Sequence, residues 1–351
     1  MSICNEINKK LNDHINDIVL NKYNKMEMNL SLLNKQELLH KCLELGILKT
    51  SSKNKTQLIE MIQIKLNQST IFEIIDDNDC QNTVLKPTPI LHLKPLIKWS
   101  GGKSDEIKQF EQYLPPTFDT YLEPFIGGGS LFFHLAPLKA VISDVHEELI
   151  DLYTCIGSGK SKDIHEFMGS SPNDEETYYK IRDKMEIACN LDSAKRFYYQ
   201  RKTCFRGMLR YNKNGKFNIP FGRYKTINYS ELLNPNYEQL LARTTVLKQS
   251  FEYVFENYND ENNFMFLDPP YDSEFTDYGY CQFGKEHQKR LSELFKATKI
   301  RCLMVIGKTK FIEELYAGYI VAEYDKKYKF KLYAGRVGDE INTKHLIIKN
   351  Y

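Results

Sequence analysis

Four consecutive residues, Asp268-Pro269-Pro270-Tyr271, close an apolar run, Phe264-Met265-Phe266-Leu267. A run of that length and composition reads as a buried strand. An acid, a rigid turn and an aromatic ring therefore sit at a strand's C-terminal end, where open α/β sheets carry their chemistry. Each part suits methyl transfer to an exocyclic amino group on a flat base. A carboxylate and a carbonyl freed by the prolines accept N–H bonds, and the ring stacks on the base. Tetrapeptides recur by chance, and this one gains meaning only from the motifs that accompany it.

The elements that must position such a group lie upstream. From Thr120 to Phe133 the chain reads as a short strand, a turn holding Gly127, Gly128 and Gly129, and an apolar run that opens a helix. Glycines let the backbone approach a ligand, and a helix N-terminus supplies unpaired N–H groups. A second strand, Ala140-Val141-Ile142-Ser143-Asp144, ends in an acid about twenty residues after the loop begins, where a carboxylate can bind ribose hydroxyls. The loop is not Gly-x-Gly-x-x-Gly, which favours a nucleotide-like cofactor without a pyrophosphate.

The combination resembles the Dam-type (D12 class) family of DNA adenine-N6 methyltransferases. The likeness covers residues 94–351 and rests on ordered motifs: Lys98-Trp99-Ser100-Gly101-Gly102-Lys103, Glu123 to Ser130, Phe217 to Tyr224, Asp268 to Tyr271, and an ending in Gly335-Arg336 and His345 to Tyr351. It implies an α/β, Rossmann-like S-adenosylmethionine-dependent sheet with helices on both faces, an inserted DNA-recognition subdomain and a small N-terminal helical module. The implied activity is site-specific transfer of methyl from S-adenosylmethionine to adenine N6 in double-stranded DNA, with the base flipped out and GATC as an expected target.

The resemblance also implies roles. Asp268, Pro269, Pro270 and Tyr271 are the catalytic set. Trp99, Lys103, Glu123, Phe125, Gly127, Gly129, Asp144 and Asp268 are expected to hold the cofactor, and Lys98, Phe205, Arg206, Met208, Arg210, Pro220 and Arg223 to contact DNA. Three positions depart from the family pattern. Arg206 stands where Asn is common, which touches the target sequence and not the reaction. His146 also replaces a common Asn; it can orient the cofactor, though a surface histidine is the simpler expectation. Gly128 replaces a commoner Ala and is expected to matter little.

Bulk properties set outer limits. With 351 residues and 42% hydrophobic content, the chain can build one large α/β domain plus smaller ones. A net charge of +2 leaves room only for a local basic patch. The eight cysteines include no Cys-x-x-Cys pair, so neither a metal site nor a disulfide framework is signalled, and reduced thiols point to an intracellular setting: cytoplasm, nucleus or a viral replication compartment. No apolar stretch predicts membrane insertion, and no signal-peptide pattern opens the chain.

Residues 1–28 form a polar extension. Residues 29–67 predict a helical hairpin, the first helix capped by Asn34 and ended by Gly46, that either resembles a DNA-binding SAP module or is a helical cap packed on the enzyme; six lysines there against three glutamates favour DNA slightly. Residues 68–93 read as a linker before a methyltransferase domain over 94–351, in which 151–245 is an inserted recognition subdomain. Strands are expected at 120–123, 140–144, 246–250, 264–267 and 302–306, with a helix at 286–297. Arg201, Lys202, Arg206, Arg210, Lys213, Lys216, Arg223 and Lys225 interleave with Phe205, Tyr211, Phe217, Phe221 and Tyr224 around the turn signal Asn212-Lys213-Asn214-Gly215. Such a β-hairpin can enter a groove, contact phosphates and read guanine through Arg.

Two other readings fit the same residues: an RNA adenine methyltransferase, since a flipped adenine presents the same amine, and a catalytically silent DNA-binding protein. The groove-sized hairpin disfavours the first, and intact Asp268, Tyr271, Asp144 and Lys103 disfavour the second.

Overall fold

The apolar runs of the sequence form the middle of one sheet. In a computed structural model that describes residues 33–38, 54–56, 58, 93–271, 283–327 and 342–351, the strands are β1 (Tyr121–Glu123), β2 (Ala140–Ser143), β3 (Thr244–Leu247), β4 (Phe264–Leu267), β5 (Arg301–Gly307), β6 (Ile320–Lys327) and β7 (Asn342–Lys349). They pair in the order β3-β2-β1-β4-β5-β7-β6. β3 to β5 are parallel across that order, and β7 runs antiparallel to both β5 and β6.

Period-two alternation explains the layering. Phe264 and Phe266 of β4 and Leu303 and Val305 of β5 pack into one core, while Met265, Leu267, Cys302, Met304 and Ile306 pack into another on the opposite face. Helices α1 (Ser130–Leu135) and α2 (Glu147–Gly157) bury Phe132, Phe133, Leu149 and Leu152 in the first core; α7 (Phe251–Asn257), α8 (Lys285–Ala297) and α9 (Lys310–Leu315) bury Val254, Phe255, Leu291, Phe295 and Ile312 in the second. A sheet buried on both faces needs near-continuous apolar strands, as β4 and β5 are.

Between β2 and β3 come α2, α3 (Ser161–Ser170), α4 (Glu175–Lys184), α5 (Asn190–Thr203), an irregular segment, and α6 (Pro235–Ala242). Residue 151 falls inside α2. The third strand lies at Thr244–Leu247 and not at 246–250. Lys248 to Ser250 instead turn into α7, and the Ser143 hydroxyl donates to the Gln249 carbonyl at 2.6 Å.

The chain divides into two compact units, residues 1–89 and 90–351. In the first, Asn34 Oδ1 accepts from Gln36 and Glu37 N–H at 2.9 and 3.1 Å, and Glu37 Oε2 accepts from Asn34 N–H at 2.7 Å, a reciprocal cap. Leu38 and Leu58 are fully buried. The 1–28 extension, the Gly46 turn, nearly all of the linker and Gly335-Arg336 lie outside the described residues.

Candidate active site

β1 connects to β2 on one side and pairs with β4 on the other, so the strand order reverses between β1 and β4. Ligands of open α/β sheets bind outside the strand carboxyl ends at such a switch point. The glycine loop leaves β1 there and Asp268 leaves β4. Both line one cleft of about 1520 Å³, together with Trp99, Lys103, Asp144 and Tyr271.

Lys103 is buried, yet its ammonium donates to Asp268 Oδ1 at 2.6 Å and to the Gly101 carbonyl at 2.8 Å. Burial raises the Asp268 pKa and the Lys103 charge opposes that rise. The Asp268 side chain keeps 20% exposure toward the cleft. Gln288 Nε2 donates to the Pro270 carbonyl at 2.7 Å, bracing the diproline turn from α8.

The Tyr271 ring is seated on a cross-strand pair, Gly307 of β5 and His345 of β7. A Cβ on Gly307 would stand 3.2 Å from Tyr271 Cδ2, and the His345 ring meets Tyr271 edge-on at 5.3 Å between centroids. His345 is itself held by the buried Glu106 carboxylate, whose Oε2 lies 2.7 Å from His345 Nδ1 and accepts from the Tyr324 hydroxyl at 2.7 Å. Lys326 donates to Oε1 at 2.5 Å. Burial alone would raise Glu106, but these donors and Lys103 hold it at about 2.

On the cofactor side, Gly127 and Gly129 adopt φ of +43° and +67°. A Cβ at Gly127 would fall 2.6 Å from Trp99 Cδ1, and one at Gly128 2.9 Å from Trp99 Cβ. The glycines thus make room for Trp99, and a Cβ at 128 would press on Trp99 at its own Cβ. Tyr153 donates to the Gly127 carbonyl at 2.8 Å and fixes the loop. Asp144 accepts from Gly127 N–H and His146 N–H, each at 3.0 Å, one on each oxygen, and burial raises its pKa to about 6. Glu123 is buried, accepts from the Tyr121 hydroxyl at 2.6 Å, and is pushed well above the usual carboxylate range by burial. Phe125 stacks on Phe251 at 5.5 Å.

These residues fit S-adenosylmethionine. The loop backbone lies open to the cleft, Asp144 places a buried carboxyl beside it that accepts backbone N–H bonds from His146, Gly127 and Val145, and the Asp268 carboxyl lines the same cleft, a donor and acceptor set suited to hydroxyl and ammonium groups. Among the described residues no cluster of His, Cys, Asp or Glu is arranged to hold a metal ion.

The basic segment after α5 is less regular than expected. It closes by isolated bridges, Tyr211 with Phe217 and Cys204 with Phe221, around a turn in which Asn212 N–H bonds Lys216 O at 2.9 Å. Arg201, expected among the groove-contacting cations, is instead buried. It donates to the carbonyls of Gly207 at 2.6 Å, Met208 at 2.5 Å and Lys98, and lies 5.7 Å from the Trp99 ring. It ties the opening Lys-Trp motif to the recognition segment.

Lys98, Arg206, Met208 and Arg210 line the cleft. Arg210 is exposed and aimed by Asn218, which accepts its Nε–H at 2.8 Å. Phe205, 42% exposed, is joined to Pro220 by a 2.8 Å backbone bond. Neither residue lines the cleft. Nor does Arg223, 72% exposed and paired with Glu175 at 2.8 Å across the surface. His146 is not the surface residue expected; it is buried at the N-cap of α2.

Residues 99–331 match the family model described as D12 class N6 adenine-specific DNA methyltransferase. The chain is 60% identical over 261 residues to the Type II methyltransferase M.CviBI of Paramecium bursaria Chlorella virus NC1A, covering 74% of this chain and 100% of that protein. It is 33% identical over 294 residues to the Type II methyltransferase M.MjaIII of Methanocaldococcus jannaschii, with 74% and 100% covered. To the DNA adenine methylase of Haemophilus influenzae it is 28% identical over 244 residues, with 66% and 85% covered. The fold, the cleft at its switch point and these likenesses agree: the chain belongs to the D12 class of N6 adenine-specific DNA methyltransferases, enzymes that use S-adenosylmethionine to methylate adenine in DNA.

Proposed function

We propose that Asp268, Pro269, Pro270 and Tyr271 form the catalytic set for an adenine flipped out of double-stranded DNA. The convergence of the β1 glycine loop and the β4 acid in one cleft carries this reading. Adenine N6 is a weak nucleophile because its lone pair is delocalised into the ring. Asp268 accepts one N6–H and the Pro269 carbonyl the other, which returns electron density to nitrogen. Tyr271 stacks on the base, a contact typically worth about 1–3 kcal/mol. Bound S-adenosylmethionine supplies a sulfonium-activated methyl group. Asp268 stands ready for the proton that the amine gives up, and preorganised acceptors account for most of the rate.

Trp99, Lys103, Glu123, Phe125, Gly127, Gly129 and Asp144 form the cofactor site in this reading, with Asp144 accepting the ribose hydroxyls. Lys98, Arg206, Met208 and Arg210 face the target from inside the cleft, and Phe205, Pro220 and Arg223 contact DNA from its rim. Residues 151–245 are the recognition subdomain, and the lysine-rich 29–67 segment is a SAP-like module that adds DNA affinity. Buried thiols at Cys155, Cys204 and Cys302 suit a reducing intracellular compartment.

The test is transfer of labelled methyl from S-adenosylmethionine to a randomised duplex library, matched GATC-containing and GATC-free duplexes, and RNA. N6-methyladenine should appear in duplex DNA at one sequence, GATC being the proposed one, and vanish in Asp268→Ala while DNA binding persists. Activity of Asp268→Ala within about tenfold of wild type, a loss of under 1.4 kcal/mol, would sink the catalytic assignment.

A further inference from the structure

One buried imidazole touches both halves of the site. His146 donates its backbone N–H to Asp144 at 3.0 Å and presents its ring edge-on to Trp99, 5.6 Å between centroids. Its Nδ1 accepts from Leu149 N–H at 3.2 Å, capping α2. That bond fixes the tautomer: the ring proton is on Nε2, which lies 2.6 Å from the Tyr211 hydroxyl oxygen. The Tyr211 hydroxyl then donates onward to Glu148 Oε2 at 3.1 Å, and Arg196 closes the line on Glu148 Oε1 at 2.8 Å. Burial, aided by the nearby Arg201 charge, lowers the His146 pKa to about 3, so the imidazole is neutral and the direction of the line is single-valued at neutral pH.

Tyr211 is the neighbour of Arg210 and pairs with Phe217 across the recognition turn. Its hydroxyl thus anchors the segment that carries Arg210 to the element that carries Asp144. No charge is exchanged along this line; it fixes distances.

Resting on the reading of Asp144 as a cofactor ligand and Arg210 as a DNA reader, we propose that His146 and Tyr211 are positioning residues that couple the two. They lock the Arg210 segment in register with the cofactor end of the sheet, so a ligand that orders Asp144 and Trp99 also orders Arg210. The coupling is reciprocal by linkage.

The test is calorimetric titration of the intact protein with sinefungin, an unreactive cofactor analogue, with and without saturating duplex DNA bearing the target. In wild type, DNA should tighten sinefungin about fivefold or more. His146→Asn keeps a side chain able to cap α2 but is too short to span to Tyr211; Tyr211→Phe removes only the hydroxyl. In Tyr211→Phe, DNA-free sinefungin affinity should stay within about twofold while the DNA-induced tightening falls below about twofold; His146→Asn should lose the tightening as well, and the double variant should lose no more of it than either single one. A purely structural role would weaken both states together and add in the double variant, which would overturn the proposal. So would tightening retained in both variants, or none in wild type. Asp144→Asn separates the premise: unchanged DNA-free sinefungin affinity there would remove Asp144 as a ligand, whatever His146 does.

Discussion

The Lys103 ammonium lies 2.6 Å from Asp268 Oδ1 and 5.2 Å from the centroid of the Tyr271 ring. One buried cation therefore touches both the acid and the aromatic ring proposed for the reaction, and its charge is the main influence opposing the rise that burial imposes on the Asp268 pKa.

Lys103→Met is expected to disable catalysis by leaving that carboxylate uncompensated. Breaking one side of a buried pair costs about 3–5 kcal/mol. Because Lys103 lowers the Asp268 pKa, its loss moves the pKa up, and the acid limb of the kcat/KM profile should shift to higher pH. Lys103→Arg should restore much of the limb. An unmoved limb in Lys103→Met would mean that Asp268 ionisation does not govern the rate.

With Asp144 as the proposed ribose ligand, cofactor affinity is expected to depend on pH. The carboxyl's pKa of about 6 in the free protein means that it is ionised above pH 6 and protonated below. Hydroxyl donors prefer the ionised form, so S-adenosylmethionine binding should weaken as pH falls through 6, approaching about tenfold per pH unit below it. Calorimetric Kd values from pH 5 to 8 check this, with Asp144→Asn flattening the curve. A wild-type Kd constant over that range would exclude Asp144 from the binding contact.

Glu106 stabilises the fold through the seat of Tyr271. Its folded pKa of about 2 lies below its ordinary 4.5, so its contribution is complete above pH 4.5 and is lost as pH falls through 2. Glu106→Gln should cost roughly 3 kcal/mol at pH 7, with the deficit relative to wild type shrinking toward pH 2. Urea unfolding at pH 7 and at pH 3 measures both. Methyl transfer should fall in the same variant, because His345 loses the carboxylate that holds it against Tyr271; a destabilised variant with full kcat would separate the fold role from the site.

The residues that line the cleft are more legible in the sequence than those that brace them. Asp268, Asp144 and the glycine loop are readable because strand ends demand particular residue types there, and β4 and β5 because burial on both faces demands apolar runs. Lys103 and Asp268 are 165 residues apart, and Glu106 and His345 are 239 apart; no local pattern ties such pairs together. Arg201 misleads because composition records a charge and not its solvation: in a basic segment it reads as a groove contact, while its guanidinium is buried and three backbone carbonyls claim it. β6 is illegible for a related reason. It is an edge strand, Ile320 to Lys327, with a register shift near its start and a charged second half, Asp325 to Lys327, features that protect an edge and blur the alternation.

Arg206 sits in the left-handed region, φ +56°, a conformation that side chains other than Asn and Asp rarely adopt. Its guanidinium lies 5.2 Å from the centroid of the exposed Phe205 ring and lines the cleft. The position thus trades backbone comfort for a cation at the cleft. Arg206→Asn should relieve the backbone, stabilising the fold by up to about 1 kcal/mol, while weakening DNA binding. If the guanidinium meets a phosphate, the slope of log K against log salt should fall by about 1, uniformly across sequences. If it reads a base, the salt slope changes little and discrimination at one position drops by roughly 1–3 kcal/mol. Duplex binding over a salt series, with target and single-mismatch sites, distinguishes the two; a variant that gains stability and changes neither quantity would take Arg206 off the DNA surface.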